Sequence, residues 1–269
     1  MKYVLSLSFG KDSMAMLIEI LKRKLPLDYI IFCVIMFNKD ISGEHPLMAE
    51  WIPQAEERIK VLLKEYGYDK VEIIHLTAKK NFVEQFYTTT KKGKHIGTNY
   101  GFPYLKAPWC NSELKMKPIN DFIKKLLKVG PVTEYIGIAK DEKERLERYQ
   151  ELETENHKYI TLADLDITEL DAMDICKQNN LLSPKYTNSF RGGCWFCNNQ
   201  TLADLYLLWR DYPDYFAKLE QLESTSHNKF RCDRKPLCIR RLEFENGQVP
   251  KTPIHKKKTI SKIKKRSLV

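Results

Sequence analysis

Residues 1–20 read MKYVLSLSFGKDSMAMLIEI, and the seven residues LSFGKDS at 7–13 decide how the rest is read. They join a short apolar run, residues 2–8, to a stretch from Asp12 to Lys24 in which Met14, Leu17, Ile18 and Leu21 recur at helical spacing. The order is strand, turn, helix. In a parallel α/β sheet ligands bind beyond the carboxyl ends of the strands, and this first turn meets the positive end of a helix. Gly10 can adopt backbone angles that aim successive N–H groups at an anion, while Lys11 and the hydroxyls of Ser8 and Ser13 add donors. Asp12 suits a magnesium-bound phosphate. The plainer alternative is a helix start in which Asp12 or Ser13 serves only as an N-cap. The stretch matches neither the longer Walker pattern nor G-x-G-x-x-G.

Outward from the turn, Tyr29–Phe37 (YIIFCVIMF) is a nearly continuous β-branched and aromatic run, as expected of a strand covered on both faces. A helix over about Leu47–Tyr66, a strand at 71–76 (VEIIHL), a basic helix over Ser112–Lys128, a strand over Glu134–Ala139 and a charged helix over Asp141–Glu155 continue the alternation. Such alternation implies βαβ units wound about a parallel sheet. The expected fold is therefore α/β, a Rossmann-like doubly wound parallel sheet. Past residue 160 the pattern changes to helices near Thr168–Gln178 and Thr201–Trp209 with loops between them, a smaller helical, cysteine-containing C-terminal subdomain. The loop Lys91–Trp109 holds three glycines and two prolines without apolar periodicity, which makes it a candidate lid. The tail at 256–266, KKKTISKIKKR, carries seven basic residues and no acidic one.

With 43% hydrophobic residues, a chain of 269 residues has ample material for a buried core. It lacks the apolar run of about 18 residues that a membrane span needs and the layout of a secretory signal, so a cytoplasmic protein is expected. The formal charge of +10 and the pI near 9.1 favour polyanionic partners, nucleotides or nucleic acids. Seven cysteines in such a chain point to metal binding or core packing rather than to disulfides.

LSFGKDS resembles the S-G-G-x-D-S pyrophosphate loop (PP-loop) of the adenine nucleotide alpha-hydrolase superfamily, with Phe9 in place of the first glycine. Four further segments, in family order, resemble its phosphoadenosine phosphosulfate reductase branch: SGEHP (42–46), CNSELKMKP (110–118), GIAKDEKER (137–145) and NLLSPKYTNSFRGGCWFC (180–197). The likeness spans about residues 2–200. It implies that Ser8, Phe9, Gly10, Lys11, Asp12 and Ser13 bind the phosphates of ATP or another adenine nucleotide with Mg2+. By the same likeness, Lys11, Asp12 and Arg145 are the catalytic candidates. Arg145 is singled out by its guanidinium fork, which matches oxyanions, whereas most other charges of KDEKERLER suit a solvated helix face with pairs such as Glu144 and Arg148. The implied organisation is a nucleotide-binding domain over 1–160, a helical subdomain with a metal site over 161–250, and a basic tail over 251–269.

Cys194 and Cys197 form a C-x-x-C bite that lets one short loop offer two thiolates to a single metal. Spacing alone leaves zinc, iron–sulfur and redox use open, although redox use is disfavoured outside a thioredoxin-like βαβ unit. In the adenylylsulfate-reducing relatives a Cys-Cys pair and a later C-x-x-C hold a four-iron four-sulfur cluster. By resemblance Cys110, Cys194 and Cys197 are inherited as ligands of an iron–sulfur cluster (4Fe-4S) or of zinc. The fourth ligand is Cys232, Cys238 or none from the protein. Cys33 and Cys176 suit ordinary buried thiols.

The reductase's E-C-G-x-H segment is missing, although Cys232, flanked by Arg231 and Arg234, has the setting of a low-pKa thiol. The superfamily's other chemistry, ATP-dependent activation for sulfur transfer, is the leading expectation. The acceptor would be a nucleic acid such as tRNA or DNA, the sulfur coming from a donor protein. Lys229, Arg231, Arg234, Lys235, Arg240 and Arg241, with Trp195, Tyr206 and Trp209 nearby, suit such an acceptor; core packing is the other use for those aromatics, Trp209 above all. The alternatives are a phosphosulfate reductase-type activity and a nucleotide-binding accessory subunit without turnover.

Overall fold

The computed structural model describes residues 1–93, 95–104, 108–187, 189 and 192–251; the basic stretch at 256–266 lies outside them. The chain divides into two compact units, one made of Met1–Thr88 with Lys106–Trp195, the other of Thr89–Leu105 with Phe196–Val269.

The first unit runs β1 (Lys2–Ser6), α1 (Lys11–Lys22), β2 (Tyr29–Val34), α2 (Pro46–Glu65), β3 (Glu72–Thr77), α3 (Phe82–Phe86), α4 (Trp109–Asn111), α5 (Lys117–Leu127), β4 (Val132–Ile136), α6 (Lys143–Gln150), β5 (His157–Thr161) and α7 (Glu169–Gln178). Its five strands are all parallel in the order β3-β2-β1-β4-β5, consistent with a Rossmann-like α/β fold. The reversal of order falls between β1 and β4. Because side chains alternate along a strand, Leu5, Ile30, Phe32 and Tyr135 join one apolar cluster with α1, α2 and α7. Val4, Ile31, Cys33 and Val132 join another with Ile119 and Ile123 of α5. Both faces are thus covered, which is why β2 reads as an unbroken apolar run.

Three elements differ from the sequence expectations for physical reasons. The run at 29–37 stops being a strand of the sheet at Val34, and its end turns back on itself, with Phe37 N–H donating to the Ile41 carbonyl (2.8 Å) and Gly43 N–H to the Ile35 carbonyl (2.7 Å). The helix expected over 112–128 contains a π turn at Ser112–Met116. Pro118 has no N–H for the Leu114 carbonyl, and the Cys33 thiol takes that acceptor instead at 3.5 Å. The helix expected over 141–155 ends at Gln150, leaving room for β5, an unanticipated fifth strand whose sequence, HKYIT, is too polar to stand out.

α1 is buried almost all round, since one side meets the sheet and another packs on α7. Trp195, considered above as a nucleic-acid contact, is 1% exposed. Its ring lies 4.5 Å from that of Phe37, and its indole N–H donates to the Ser42 carbonyl at 2.9 Å.

The second unit contains α8 (Leu202–Asp211), α9 (Pro213–Ser224) and α10 (Leu237–Glu245). Tyr206 and Trp209 of α8 pack on Phe244 of α10 at ring separations of 5.2 and 5.5 Å. The buried Glu223 carboxylate accepts N–H bonds from Phe230 (2.8 Å) and Leu237 (2.7 Å), fixing the connection between α9 and α10. The part of the 91–109 loop that belongs to this unit is tied down. Asn228 accepts from Phe102 N–H (3.0 Å) and donates to the Phe102 carbonyl (2.7 Å), and Phe102 is fully buried against Phe230. Gly101 has φ +66, and a Cβ there would stand 2.4 Å from the Asn228 side-chain oxygen.

His95 stacks on His227 with centroids 4.4 Å apart, and the Tyr104 hydroxyl lies 3.4 Å from His227 Nε2. Desolvation first, then the neighbouring His95, lowers the His227 pKa below its ordinary 6.5. The unfolded chain therefore binds this proton more readily than the folded one, so the contribution to stability is present above pH 6.5 and lost as pH falls through the folded value. Urea unfolding followed at pH 7.5 and again near pH 5 should show a fall in stability that is smaller in His227→Gln.

Candidate active site

The turn between β1 and α1 is closed by its own hydroxyls. Ser8 N–H donates to Ser13 Oγ (3.0 Å), the two serine hydroxyls lie 3.1 Å apart, and Ser13 Oγ donates to the Gly10 carbonyl (3.1 Å). Neither Asp12 nor Ser13 is the N-cap. That position falls to Gly10, without any side-chain bond, so the first turn of α1 keeps donors for another acceptor. One of them, Lys11 N–H, is taken at 3.1 Å by the Tyr186 hydroxyl.

The left-handed residue of the turn is Phe9, at φ +54, while Gly10 is extended at φ −78. A side chain in this conformation costs about 1–2 kcal/mol. The Phe9 ring recovers it by turning into the core, 1% exposed, edge-on to Phe32 at 4.8 Å and to Trp51 at 6.3 Å. Burial of such a ring contributes about 1.5–3 kcal/mol. The Phe9 side chain thus anchors the turn. Gly10 sits in tight quarters, since a Cβ would come within 3.3 Å of the Tyr186 hydroxyl and push it aside. Gly137, just past β4, faces a harder limit: a Cβ there would stand 2.5 Å from the backbone of Asp12 and Ser13.

Lys11 is 7% exposed, with its ammonium 2.6 Å from Asp12 and 3.5 Å from Glu169 at the start of α7. Burial works to lower its pKa, but the two carboxylates outweigh burial and hold it above the ordinary value. For Asp12 burial is the largest influence and wins over Lys11, raising the carboxyl pKa, with Glu169 and Glu142 adding to the rise. Arg145 donates to Glu142 at 2.5 Å, and the other Glu142 oxygen accepts from Ala139 N–H at 3.1 Å, so the arginine is fixed to the segment that follows β4. Arg148 bonds the Glu144 carbonyl rather than its carboxylate.

A cavity of about 530 Å³ joins these parts. Ser8, Gly10, Lys11, Asp12, Arg145 and Cys194 all line it. Phe9 lies beneath it in the core, and Ser13 is engaged in closing the turn. Cys194 is held there by a backbone bridge to Glu44, itself in the wall beside Lys115. Desolvation raises the Glu44 carboxyl pKa, opposed by Lys115 and Lys185. Lys115, Glu44, Tyr186 and Glu169 are site residues that sequence reasoning did not single out. The first three lie inside segments that carry the family resemblance, and that position was the available signal.

The other cysteines are distributed differently. Cys110, on α4, belongs to the first unit, whereas Cys197, Cys232 and Cys238 belong to the second. None of the chain's cysteines forms a disulfide. Burial raises the Cys33 thiol to about 11 and the Cys176 thiol to about 12, and Cys176 donates to the Lys11 carbonyl at 3.0 Å, as ordinary core thiols do. Among the described residues no group of three or more His, Cys, Asp or Glu is placed to hold a metal ion. In the second unit Arg231, Lys235, Arg240 and Arg241 are paired with Asp233, Glu243, Glu220 or Glu245, so much of that basic stretch neutralises itself.

Comparison of the chain with models of known families, with curated proteins and with solved structures gives no match. Among the described residues no helix is long and apolar enough to cross a membrane.

Phe9 gives a direct test of the loop. Alanine at 9 removes the ring and keeps the left-handed strain, at an expected cost of about 3–5 kcal/mol. Glycine removes both. Phe9→Gly should therefore be the more stable of the two variants by about 1 kcal/mol in urea unfolding, the reverse of the usual order.

Proposed function

We infer that the protein is an adenine-nucleotide-dependent enzyme of the reductase-like PP-loop type, which uses ATP to activate an acceptor for sulfur transfer. The observation that carries this reading is that the turn at Ser8–Ser13, Arg145 and Cys194 open on one cavity, so that phosphate binding and sulfur chemistry share a space. The resemblance of the five ordered segments supplies the reaction class.

In this reading the phosphates of ATP lie against the first turn of α1, replacing the Tyr186 hydroxyl as acceptor of the Lys11 N–H. An acceptor oxygen bonds to the α-phosphorus as the bond to pyrophosphate breaks, and a sulfur nucleophile then displaces AMP from the adenylated carbon or phosphorus. The chain's contribution is positioning and charge. Backbone donors and Lys11 hold the phosphates, while Arg145 and Lys115 offset the charge that develops on the leaving pyrophosphate. Asp12 keeps Lys11 oriented and would help hold a phosphate-bound magnesium ion, which would supply further neutralisation of the phosphate charge.

Pyrophosphate release from labelled ATP, measured alone and with tRNA or DNA, is the test. Release that depends on an acceptor and falls at least about a hundredfold in Lys11→Met or Arg145→Ala is expected, as for the loss of oriented charge at a transition state. Absence of release under every condition, with ATP still bound, would leave a nucleotide-binding subunit without turnover.

The cysteines carry a separate proposal. By the family resemblance alone, Cys110, Cys194 and Cys197, with Cys232, Cys238 or no protein residue as the fourth ligand, would hold an iron–sulfur cluster or zinc; among the described residues no such group is placed to hold a metal ion. An anaerobic preparation should be brown and lose its visible absorbance in Cys194→Ser; colourless protein with stoichiometric zinc would reject the cluster.

A further inference from the structure

A second concavity, about 720 Å³, opens from the same turn and runs down the α5 face of the sheet between α5 and α6. On that face β1, β2 and β4 present Val4, Ile31, Cys33 and Val132, the apolar set a covered sheet needs. Two residues along β1 and β4, and across to β5, the same face carries Ser6, Glu134, His157 and Tyr159. Glu134 is 5% exposed, with His157 Nε2 at 2.6 Å from one oxygen and the Ser6 hydroxyl at 3.4 Å from the other. Coverage alone does not call for a carboxylate here, and burying one is costly.

The chemistry of the walls is specific. A carboxylate group has several acceptor positions, and among the described residues His157 and Ser6 take two of those of Glu134. Tyr149 and Tyr159 meet edge to face at 5.1 Å, giving one aromatic wall, and Ile123, Leu127 and Leu152 give an aliphatic one. Lys115, Lys124, Arg145 and Arg148 stand at the rim. The volume lies within the usual range for a small-molecule site, and the groove lies where the strand order reverses, the place such sheets bind ligands. A flat body with N–H donors, apolar faces and an anionic substituent fits all of these at once.

We propose that this groove is a seat for a base of the acceptor polynucleotide, in which Glu134 accepts from a ring N–H or amino group and Lys124 and Arg148 meet the backbone phosphate of that nucleotide. The base is not that of the activating ATP, whose phosphates are assigned to the first turn of α1 rather than to Lys124 and Arg148. The proposal rests on the PP-loop reading only for what occupies the neighbouring turn.

Binding of three probes to the full chain tests it: inorganic tripolyphosphate, ATP, and a single-stranded oligonucleotide of mixed sequence. The proteins compared are the wild type, Glu134→Gln and Arg148→Ala, with melting temperatures confirming that each variant is folded. Both variants should weaken binding of the oligonucleotide about tenfold, as the loss of a charge-assisted hydrogen bond does, and leave tripolyphosphate and ATP unchanged. Weakening of ATP with the oligonucleotide unchanged overturns the acceptor seat. If the oligonucleotide does not shift by more than about twofold in folded variants, against a tenfold expectation, the seat is overturned as well. Should Glu134→Gln fail to fold, Arg148→Ala decides alone. If wild-type protein binds neither tripolyphosphate nor ATP, the PP-loop reading fails instead, and the oligonucleotide arm still decides the groove.

Discussion

The first unit depends on one close backbone approach. The end of β4 runs so near the start of α1 that a methyl at Gly137 would overlap the peptide joining Asp12 to Ser13. That approach sets the depth at which α1 begins beneath the sheet edge, and with it the direction of the first-turn amides. It also fixes where the following segment can go. Ile138 and Ala139 are fully buried just beyond it, and Glu142 then ties the backbone to Arg145. Loop, arginine and cavity wall are consequences of one contact that only glycine permits.

A second consequence is electrostatic. Because α1 starts deep in the unit, the charged pair at its head is mostly out of water, and the unit retains Lys11 only with Asp12 and Glu169 around it. A site of this kind is built against stability, since desolvated charge and raised carboxyl pKa both penalise the folded state. The compensation lies in the Phe9 ring and in the apolar girdle of α1, where Met14, Met16, Leu17 and Ile20 are fully buried.

Much of this was legible in the sequence. The unbroken apolar run of β2 signals a strand covered on both faces, and the spacing of Met14, Leu17, Ile18 and Leu21 signals the helix after it. The turn between β1 and α1 was legible as the join of strand to helix because Gly10 falls between an apolar run and a stretch of helical spacing. Features decided by distant partners were less visible. The position of Phe9 looks unfavourable locally, and only the presence of Phe32 and Trp51 makes it favourable. β5 was missed because an edge strand with polar residues facing a groove lacks the periodicity of a covered one. Tyr186, 175 residues from Lys11, enters the site through tertiary structure alone. Trp195 was left open between core and ligand for the converse reason, since nothing local distinguishes an indole in the core from one offered to a ligand.

The second unit is built from two separate stretches of chain, with the segment from Lys106 to Trp195 intervening. Its early stretch, which includes Gly101 and Phe102, leaves the ribosome long before Asn228, whose side chain holds Phe102 by both of its backbone groups. During synthesis the buried Phe102 ring must therefore wait for its partner while the strands and helices between them are made. Closure of the second unit becomes a late, long-range event. For that interval the nascent chain carries an uncovered aromatic segment, and the most vulnerable moment in the life of this protein precedes its completion.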